Sequence, residues 1–491
     1  MTELKFLAVD LGAESGRVMI GLLNNKNIRL QELHRFANPQ VKLFGHLHWD
    51  VLYLFNEIKK GLALAARQGH RDLQGIGVDT WGVDFGLIGR GNNLLGFPYA
   101  YRDSRTGGML AKAFERMPRK EIYNLTGLQF MQINSLFQLL SMVESNHPLL
   151  EIAEKLLFMP DLINFFMTGE KVSEYTIAST SQMLDAQTGG WAENLLTKLE
   201  LPAHILPPVI QPGTAVGPLL PEIVRETGIA PVEVIAPACH DTGSAVAAVP
   251  AKGENWAYLS SGTWSLIGVE NNAPIITDDS LENNFTNEGG VNGTIRFLRN
   301  AMGMWLLQGC RKQWQAEGTR LDYDELVKLA EPAPAFKCFV DPDDPSFLNP
   351  PDMPAAITAF CLRSRQPAPE NKGEFVRCIL ESLACKYKFL IDKINAMRSR
   401  PIEILHIVGG GSQNKMLNQF TANAAGLPVM AGPVEATALG NVLVQAVACK
   451  ELASIAEGRE IAASSFPVET YEPENQAQWQ NAYAKIKRLF H

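Results

Sequence analysis

Two stretches of the chain carry the same pattern of apolar and polar positions. Residues 8–20 read AVDLGAESGRVMI and residues 258–268 read YLSSGTWSLIG. Each is an apolar run, a turn of glycine and small polar residues, and a second apolar run. The pattern predicts two β-hairpins whose tips carry no bulky side chain. Such a tip lets successive backbone N–H groups approach an anion, because glycine has no Cβ to obstruct it. Either segment alone reads equally as an ordinary tight hairpin. Two copies, about 250 residues apart in a chain of 491, predict a duplicated design that binds phosphate.

Strand and helix patterns alternate along the rest of the chain. GIGVDTWGVDFGLIG (75–89) predicts strand, turn and strand, with Trp81, Gly82 and Asp84 at the turn. PLLPEIVRETGI (218–229) predicts a helix closed by Gly228. The strand VEVIAPA (232–238), the turn CHDT and a small-residue helix, GSAVAAVPA, follow. ILHIVGGGSQNKMLNQFTANAAGLPV (404–429) predicts a buried strand, a triple-glycine turn, a helix and another strand. That βαβ order, with glycines at the strand's carboxyl end, suits a nucleotide. It lacks the GxGxxG fingerprint, and the turn alone reads equally as helix packing. PAKGENW (250–256) is a polar Gly/Pro break that predicts domains at 1–249 and 250–491. The fold class expected is α/β.

Composition supports two domains and narrows the partners. A chain of 491 residues exceeds what one core sustains, and 46% apolar residues suffice for two. Lys and Arg number 44 against 52 Asp and Glu, a net charge of −8, which argues against nucleic acid or an anionic membrane as partner. The N-terminal MTELKFLAVDLGA reads as neither a secretory nor a transit signal, so none is expected, and no apolar run reaches membrane-spanning length. A cytoplasmic location is expected. The seven cysteines (239, 310, 338, 361, 378, 385, 449) form no CxxC, so reduced thiols are expected rather than a zinc site or redox pair. Whether Cys361 and Cys378 pair stays open. No HExxH is present, and His46 and His48 in GHLHWD read as polar positions on an edge strand.

Two acidic residues stand out. Asp10 directly precedes the first turn, where its charge repels a phosphate unless a divalent cation lies between them; Mg²⁺ at Asp10, reached through water, is expected. His240, Asp241 and Thr242 lie between a buried strand and a helix, where a carboxylate is costly without work or partners. Asp241 is the leading catalytic candidate. Its alternative role is to cap the helix.

At this point the chain resembles the FGGY carbohydrate kinases. The DLG-x-x-SGR loop, CHDT, YLSSGTWSLIG and HIVGGGSQN occur in that order in the family, and DTWGVDF, AYRDSRT, TNEGG, MGMWLLQ and AGPVEATALGN extend the likeness over nearly the whole chain. The resemblance implies two actin/hexokinase/Hsp70-like (ribonuclease H-like) α/β domains with a cleft between them, the N-terminal one binding sugar and the C-terminal one ATP. It implies an ATP site from Ala13, Glu14, Ser15, Gly16, Arg17, Thr263, Gln308 and Gly410. It implies a sugar site from Gly82, His240, Asp241, Thr242 and Asn300, with Asp241 as base and Trp81, Phe85 and Trp305 as candidate apolar wall. The expected reaction is MgATP-dependent phosphorylation of L-rhamnulose at its C1 hydroxyl, with closure on sugar binding. L-Fuculose or L-xylulose is the alternative substrate, and an actin- or Hsp70-like ATPase without sugar the alternative class. A monomer is expected over a homo-oligomer. Glu14 stands where the family pattern has a small residue, harmless if it points outward. Phe420 and Ala424 stand where some relatives have closely spaced cysteines.

Overall fold

The apolar run at the N-terminus forms β1 (Leu4–Leu11), the centre of a mixed sheet in a computed structural model that describes residues 3–24 and 27–490. Its residues Phe6 to Leu11 are all buried, as expected of a strand covered on both faces. The other strands are β2 (Ser15–Asn24), β3 (Asn27–Ala37), β4 (Gly75–Thr80), β5 (Ala215–Pro218) and β6 (Glu233–Ile235). Their lateral order is β5-β6-β4-β1-β2-β3. β2 runs antiparallel to β1 and β3, whereas β4 runs parallel to β1 and β6. The register sets Asp10 beside Asp79 on one side and Arg17 on the other. A further bridge joins Thr80 to His240. The strand ends that carry the polar residues therefore lie side by side.

This sheet belongs to the first of two units, which comprises residues up to Pro250, Glu270–Phe297 and Glu435–Phe466. The helix Val51–Arg67, capped by the Asp50 carboxylate on the Tyr53 N–H, buries Val51, Leu54, Ile58 and Leu62 against the sheet core. That spacing is one apolar face of a helix. The helix Ala436–Ala448 packs close on the sheet and on the helix Asp241–Ala247 because small residues let it. A Cβ on Gly77 would lie 2.4 Å from Asn441 Oδ1, and one on Gly440 only 1.7 Å from the Ser244 carbonyl oxygen.

The segment 75–89 holds two strands, but they serve different sheets. Phe85–Gly89 pairs with Ala153–Phe158 over a second core that includes Phe137, Tyr123 and Leu156. Between the two strands Val83 has φ 72°, a left-handed conformation that is strained for a β-branched residue.

The second unit comprises Ala251–Val269, Leu298–Val434 and Pro467 onward. Its sheet contains β7 (Trp256–Ser261), β8 (Trp264–Asn271), β9 (Ile295–Met302), β10 (Ile404–Val408), β11 (Val429–Ala431) and β12 (Glu469–Tyr471), of which residues 270–271 and 295–297 count with the first unit. Here the order is β9-β8-β7-β10-β11-β12, with a seventh strand, Thr286–Gly289, outside β9. β7 and β8 are antiparallel, β7 and β10 parallel, and β10 and β11 parallel. Apart from the edge strand Thr286–Gly289, the likeness of the two hairpins thus extends to five strands in the same order: third, second, first, fourth, and the strand beside it.

Two local readings change and one holds. The strand predicted over 232–238 is only Glu233–Ile235, and the chain then reaches His240 with a single bridge. The seven cysteines are free, as expected, but Cys338, Cys361 and Cys378 are not scattered: their buried sulfurs lie within 4.8 Å of one another. His46 and His48 do lie on a short strand, His46–Trp49, where His46 faces the Asp103 carboxylate at 3.2 Å. No helix among the described residues is long and apolar enough to cross a membrane.

Candidate active site

In the first unit the hairpin β1–β2 turns through Gly12, Ala13 and Glu14. The Gly12 N–H donates to the Ser15 carbonyl, and Asn38 braces the tip by donating its side-chain amide to the Gly12 carbonyl, both at 2.9 Å. Glu14 is exposed, so its side chain leaves the turn's backbone clear. Gly16 has a different reason to be glycine. A Cβ there would lie 2.4 Å from the Phe36 ring and 2.7 Å from Leu11, which is a demand of packing rather than of phosphate.

Asp10 is not a lone carboxylate. It pairs with Arg17, directly across the hairpin, and Arg17 also pairs with Glu435 at the start of the helix Ala436–Ala448. Burial works against the Arg17 charge, but the two carboxylates outweigh it and raise its pKa. Next to Asp10, Asp79 is fully buried and accepts from the Asn441 side-chain amide at 2.6 Å. Burial, and then the Asp10 charge, push its carboxyl well above the ordinary range. Its Oδ1 has no hydrogen-bond partner among the described residues.

Asp241 is the first residue of the helix Asp241–Ala247, and the capping position falls to His240. The carboxylate therefore does not cap the helix; its Oδ1 accepts from the Thr242 N–H at 2.5 Å and from the Thr242 hydroxyl at 3.2 Å. Its side chain keeps 31% of its surface exposed, while His240 beside it keeps 9%. Burial raises the Asp241 pKa, nearby His240 opposes the rise, and the Asp10 charge adds to it. Asp10, Asp79 and Asp241 are thus close enough to feel one another.

Of the remaining residues expected at the sugar, Thr242 is buried against Asp241 and Gly82 backs onto Thr180. Trp81 and Phe85 are each 5% exposed, so both are mainly core. The Asp84 carboxylate accepts from the indole N–H of Trp49 at 2.6 Å and of Trp81 at 3.0 Å, from the Tyr101 N–H at 3.1 Å, and from the Gln138 amide at 2.8 Å. Burial pushes its pKa up to about 6, these bonds holding it from rising further. Asn300 belongs to the second unit's residues.

There the tip of β7–β8 rests on the turn that starts the helix Trp305–Ala316. The Gly262 carbonyl accepts from the Met304 N–H at 3.0 Å, and the Thr263 carbonyl from Gly303 at 3.1 Å and Trp305 at 3.3 Å. Gln308 projects from that helix, with its Oε1 buried and unbonded among the described residues. The triple-glycine turn abuts the same hairpin: a Cβ on Gly411 would stand 2.0 Å from Ser261 Oγ, whereas one on Gly410 would meet nothing within 4 Å. Gly410 thus presents bare backbone beside Ser261 and its hairpin.

Several supporting residues escaped the sequence. Glu288 and Arg296 meet His240, Asn441 meets Asp79, and Glu435 meets Arg17. In the second unit fully buried Lys386 lies between Asp341 and Asp343 at 2.9 and 3.0 Å, and Asp343 accepts the Met302 N–H just before the turn that supports the hairpin. The available signal was charge inside apolar runs, as in IRFLRN and LACKYKFLI; such charges are rare in a core without a partner.

Residues 5–248 match the N-terminal domain of the FGGY family of carbohydrate kinases, and residues 257–449 match its C-terminal domain. The chain belongs to this family. A rhamnulokinase of Bacteroides thetaiotaomicron is 48% identical over 482 residues, 98% of each chain, and a rhamnulokinase of Bacillus subtilis 40% identical over 470 residues, 96% of each. In fold, this kinase is similar to the xylulose kinase of Lactobacillus acidophilus, with a TM-score of 0.81 at 17% identity over 99% of this chain and 97% of that one. It is likewise similar to the Plasmodium falciparum glycerol kinase with ADP, with a TM-score of 0.79 at 16% identity, covering 99% and 98%. As a carbohydrate kinase the chain is an enzyme, and the alternative of a sugar-independent ATPase falls away.

Proposed function

We propose that this kinase transfers the terminal phosphoryl group of ATP to the C1 hydroxyl of L-rhamnulose, giving L-rhamnulose 1-phosphate and ADP. The substrate follows the rhamnulokinases that match it along nearly their full lengths. The observation that carries the chemistry is Asp241, a part-exposed carboxylate at the end of a buried strand segment, amid the carboxylates of Asp10 and Asp79 and next to His240.

Asp241 accepts a hydrogen bond from the attacking hydroxyl and orients it. An alcohol is a far weaker acid than a carboxylic acid, so the proton moves to Asp241 only late, as the new P–O bond forms. Alignment is therefore as large a part of its work as proton removal. His240, Thr242 and Gly82 line the sugar's side in the first unit, and Asn300 is assigned to the sugar as well. Arg17, held by Asp10 and Glu435, offsets phosphate charge at the first hairpin. The backbone of Ala13–Arg17, the tip at Thr263, the bare Gly410 and Gln308, whose Oε1 has no partner among the described residues, receive the nucleotide.

The donor set also fits Mg²⁺, since carboxylate oxygens are hard ligands, the three acids repel one another, and Asp79 Oδ1 has no partner among the described residues. Asp10 would hold the ion through water, with Asp79 and Asp241 near it, and bound there it neutralises phosphate charge. The test is ADP formation with L-rhamnulose, with the product's phosphate position read by ³¹P–¹H NMR. Phosphate on any carbon other than C1, or no sugar-dependent ADP, overturns the reading. L-Fuculose and L-xylulose are the competitors to include.

A further inference from the structure

His240 has its two ring nitrogens committed in different directions. Its backbone N–H donates to the Thr176 hydroxyl at 3.1 Å, which fixes the residue at the helix start. Nε2 lies 3.4 Å from Asp241 Oδ1. Nδ1 lies 3.0 Å from Arg296 Nη2 and 3.3 Å from Glu288 Oε2, and the same Glu288 oxygen is 3.3 Å from Arg296 Nη2. Arg296 is fully buried and donates its Nε–H to the Gly289 carbonyl at 2.8 Å, so its guanidinium is held in place. All of these residues lie in the first unit.

A guanidinium stays protonated in proteins and has only donors to offer. At 3.0 Å it therefore donates to Nδ1, which must present its lone pair. A neutral imidazole with an unprotonated Nδ1 carries its proton on Nε2. Nε2 is the nitrogen that lies 3.4 Å from Asp241 Oδ1. Glu288 balances the charge of Arg296, and both side chains are buried.

We propose that Arg296 and Glu288 are positioning residues for phosphoryl transfer, fixing His240 as the Nε2–H tautomer so that it donates to Asp241 and holds that carboxylate as an oriented acceptor. The inference rests on the reading of Asp241 as the group that receives the hydroxyl proton. The opposite tautomer, with Nδ1–H on Glu288, would leave Nε2 a lone pair facing a carboxylate. It would repel where a hydrogen bond is needed. A wrong histidine tautomer in a catalytic array of this kind costs up to about 10⁴ in turnover.

The experiment is ¹⁵N-histidine NMR of the full chain, reading the protonated ring nitrogen of His240 through its two-bond couplings and assigning the signal by its loss in His240→Gln. The expected result for the wild type is the Nε2–H form, and for Arg296→Met a shift toward Nδ1–H with kcat reduced about tenfold or more and the KM for ATP unchanged. Arg296→Lys retains a donor and should retain the Nε2–H form with intermediate kcat. Glu288→Gln should retain the tautomer and disturb kcat less than Arg296→Met. Because the wild-type spectrum alone decides the tautomer, the inference stays open to refutation even if a variant does not fold. An Nδ1–H signal in the wild type overturns it, as does an Arg296→Met variant that folds with tautomer and kcat intact. An Asp241→Asn enzyme that keeps its turnover removes the proposed base while leaving the tautomer result standing, so the two failures are distinguishable.

Discussion

At the scale of single residues, the difference between the helix cap and the first helical position decides what removing Asp241 should do. Because His240 holds the cap and Asp241 bonds only to Thr242 among its described hydrogen bonds, Asp241→Asn should leave stability within about 1 kcal/mol. Turnover should fall by about 10²–10⁴ with the KM for ATP unchanged; a variant retaining more than about a tenth of wild-type kcat is not missing its base. Asp84 offers a contrasting test on pH. Its carboxyl titrates at about 6 in the folded chain and about 3.9 when unfolded. The folded state therefore binds the proton more tightly, and the stability this contributes is present at acid pH and lost as pH rises from about 4 to 6. A gap of about two pKa units corresponds to about 3 kcal/mol. Asp84→Asn cannot titrate, so the stability of wild type relative to variant, measured by urea unfolding, should fall by up to that amount across this window; a difference independent of pH would refute the assignment. Asp84 was legible in the sequence as a turn residue of DTWGVDF. Its four donors were not, because they come from Trp49, Trp81, Tyr101 and Gln138, positions up to 54 residues away whose convergence no local pattern encodes.

At the scale of elements, neighbouring glycines in one turn do different work. Gly411 is required by the fold, since a Cβ would lie 2.0 Å from Ser261 Oγ, while Gly410 faces open space. Gly411→Ala should therefore destabilise the chain, by about 1–3 kcal/mol as overpacking does. Gly410→Val should leave the melting temperature nearly unchanged and raise the KM for ATP far more than that for the sugar. Gly262 belongs with Gly410, because a Cβ there comes no closer than 3.8 Å to the Trp264 carbonyl oxygen, and Gly262→Val should behave in the same way. Kinetic constants that move together for ATP and sugar would instead mark a displaced hairpin. The hairpins and the triple-glycine βαβ segment were readable because strand alternation, glycine turns and helix periodicity are local signals. The roles of particular glycines were not. Gly16 reads in sequence like a phosphate residue, yet the reason for it is the Phe36 ring, which arrives from the next strand and is invisible in the spacing DLGAESGR.

At the scale of the whole molecule, two sheets share the order of five of their strands, and the paired hairpins in the sequence were its trace. The units themselves are less sequential than a single boundary near residue 250 suggests. The first recovers residues 435–466 late in the chain, and the helix Ala436–Ala448 brings Asn441 to Asp79. A pattern read from one end of the chain to the other does not reveal such a return, because the small residues that permit it, Gly77 and Gly440, look like any others. What the chemistry asks of the complete enzyme is selectivity among ketoses. L-Rhamnulose presents several hydroxyls and a terminal methyl, and the two kinds of group are weighed differently. A site built to hydrogen-bond a hydroxyl rejects an analogue lacking it by about 10⁴-fold, because its buried polar groups are left unpaired, whereas one methyl in an apolar pocket is worth about 10–200-fold. The polar residues assigned to the sugar, His240, Asp241 and Thr242, are fixed to one another or to buried neighbours, and such groups do not rearrange cheaply for a misplaced hydroxyl. Ketoses with inverted hydroxyls near C1 should therefore lose most of kcat/KM, while L-xylulose, which lacks the methyl end, should remain a weak substrate. Steady-state ADP release across that panel checks the ranking. If D-xylulose or glycerol proved better than L-rhamnulose, the substrate would have to be reassigned, and membership of the carbohydrate kinases would stand unchanged.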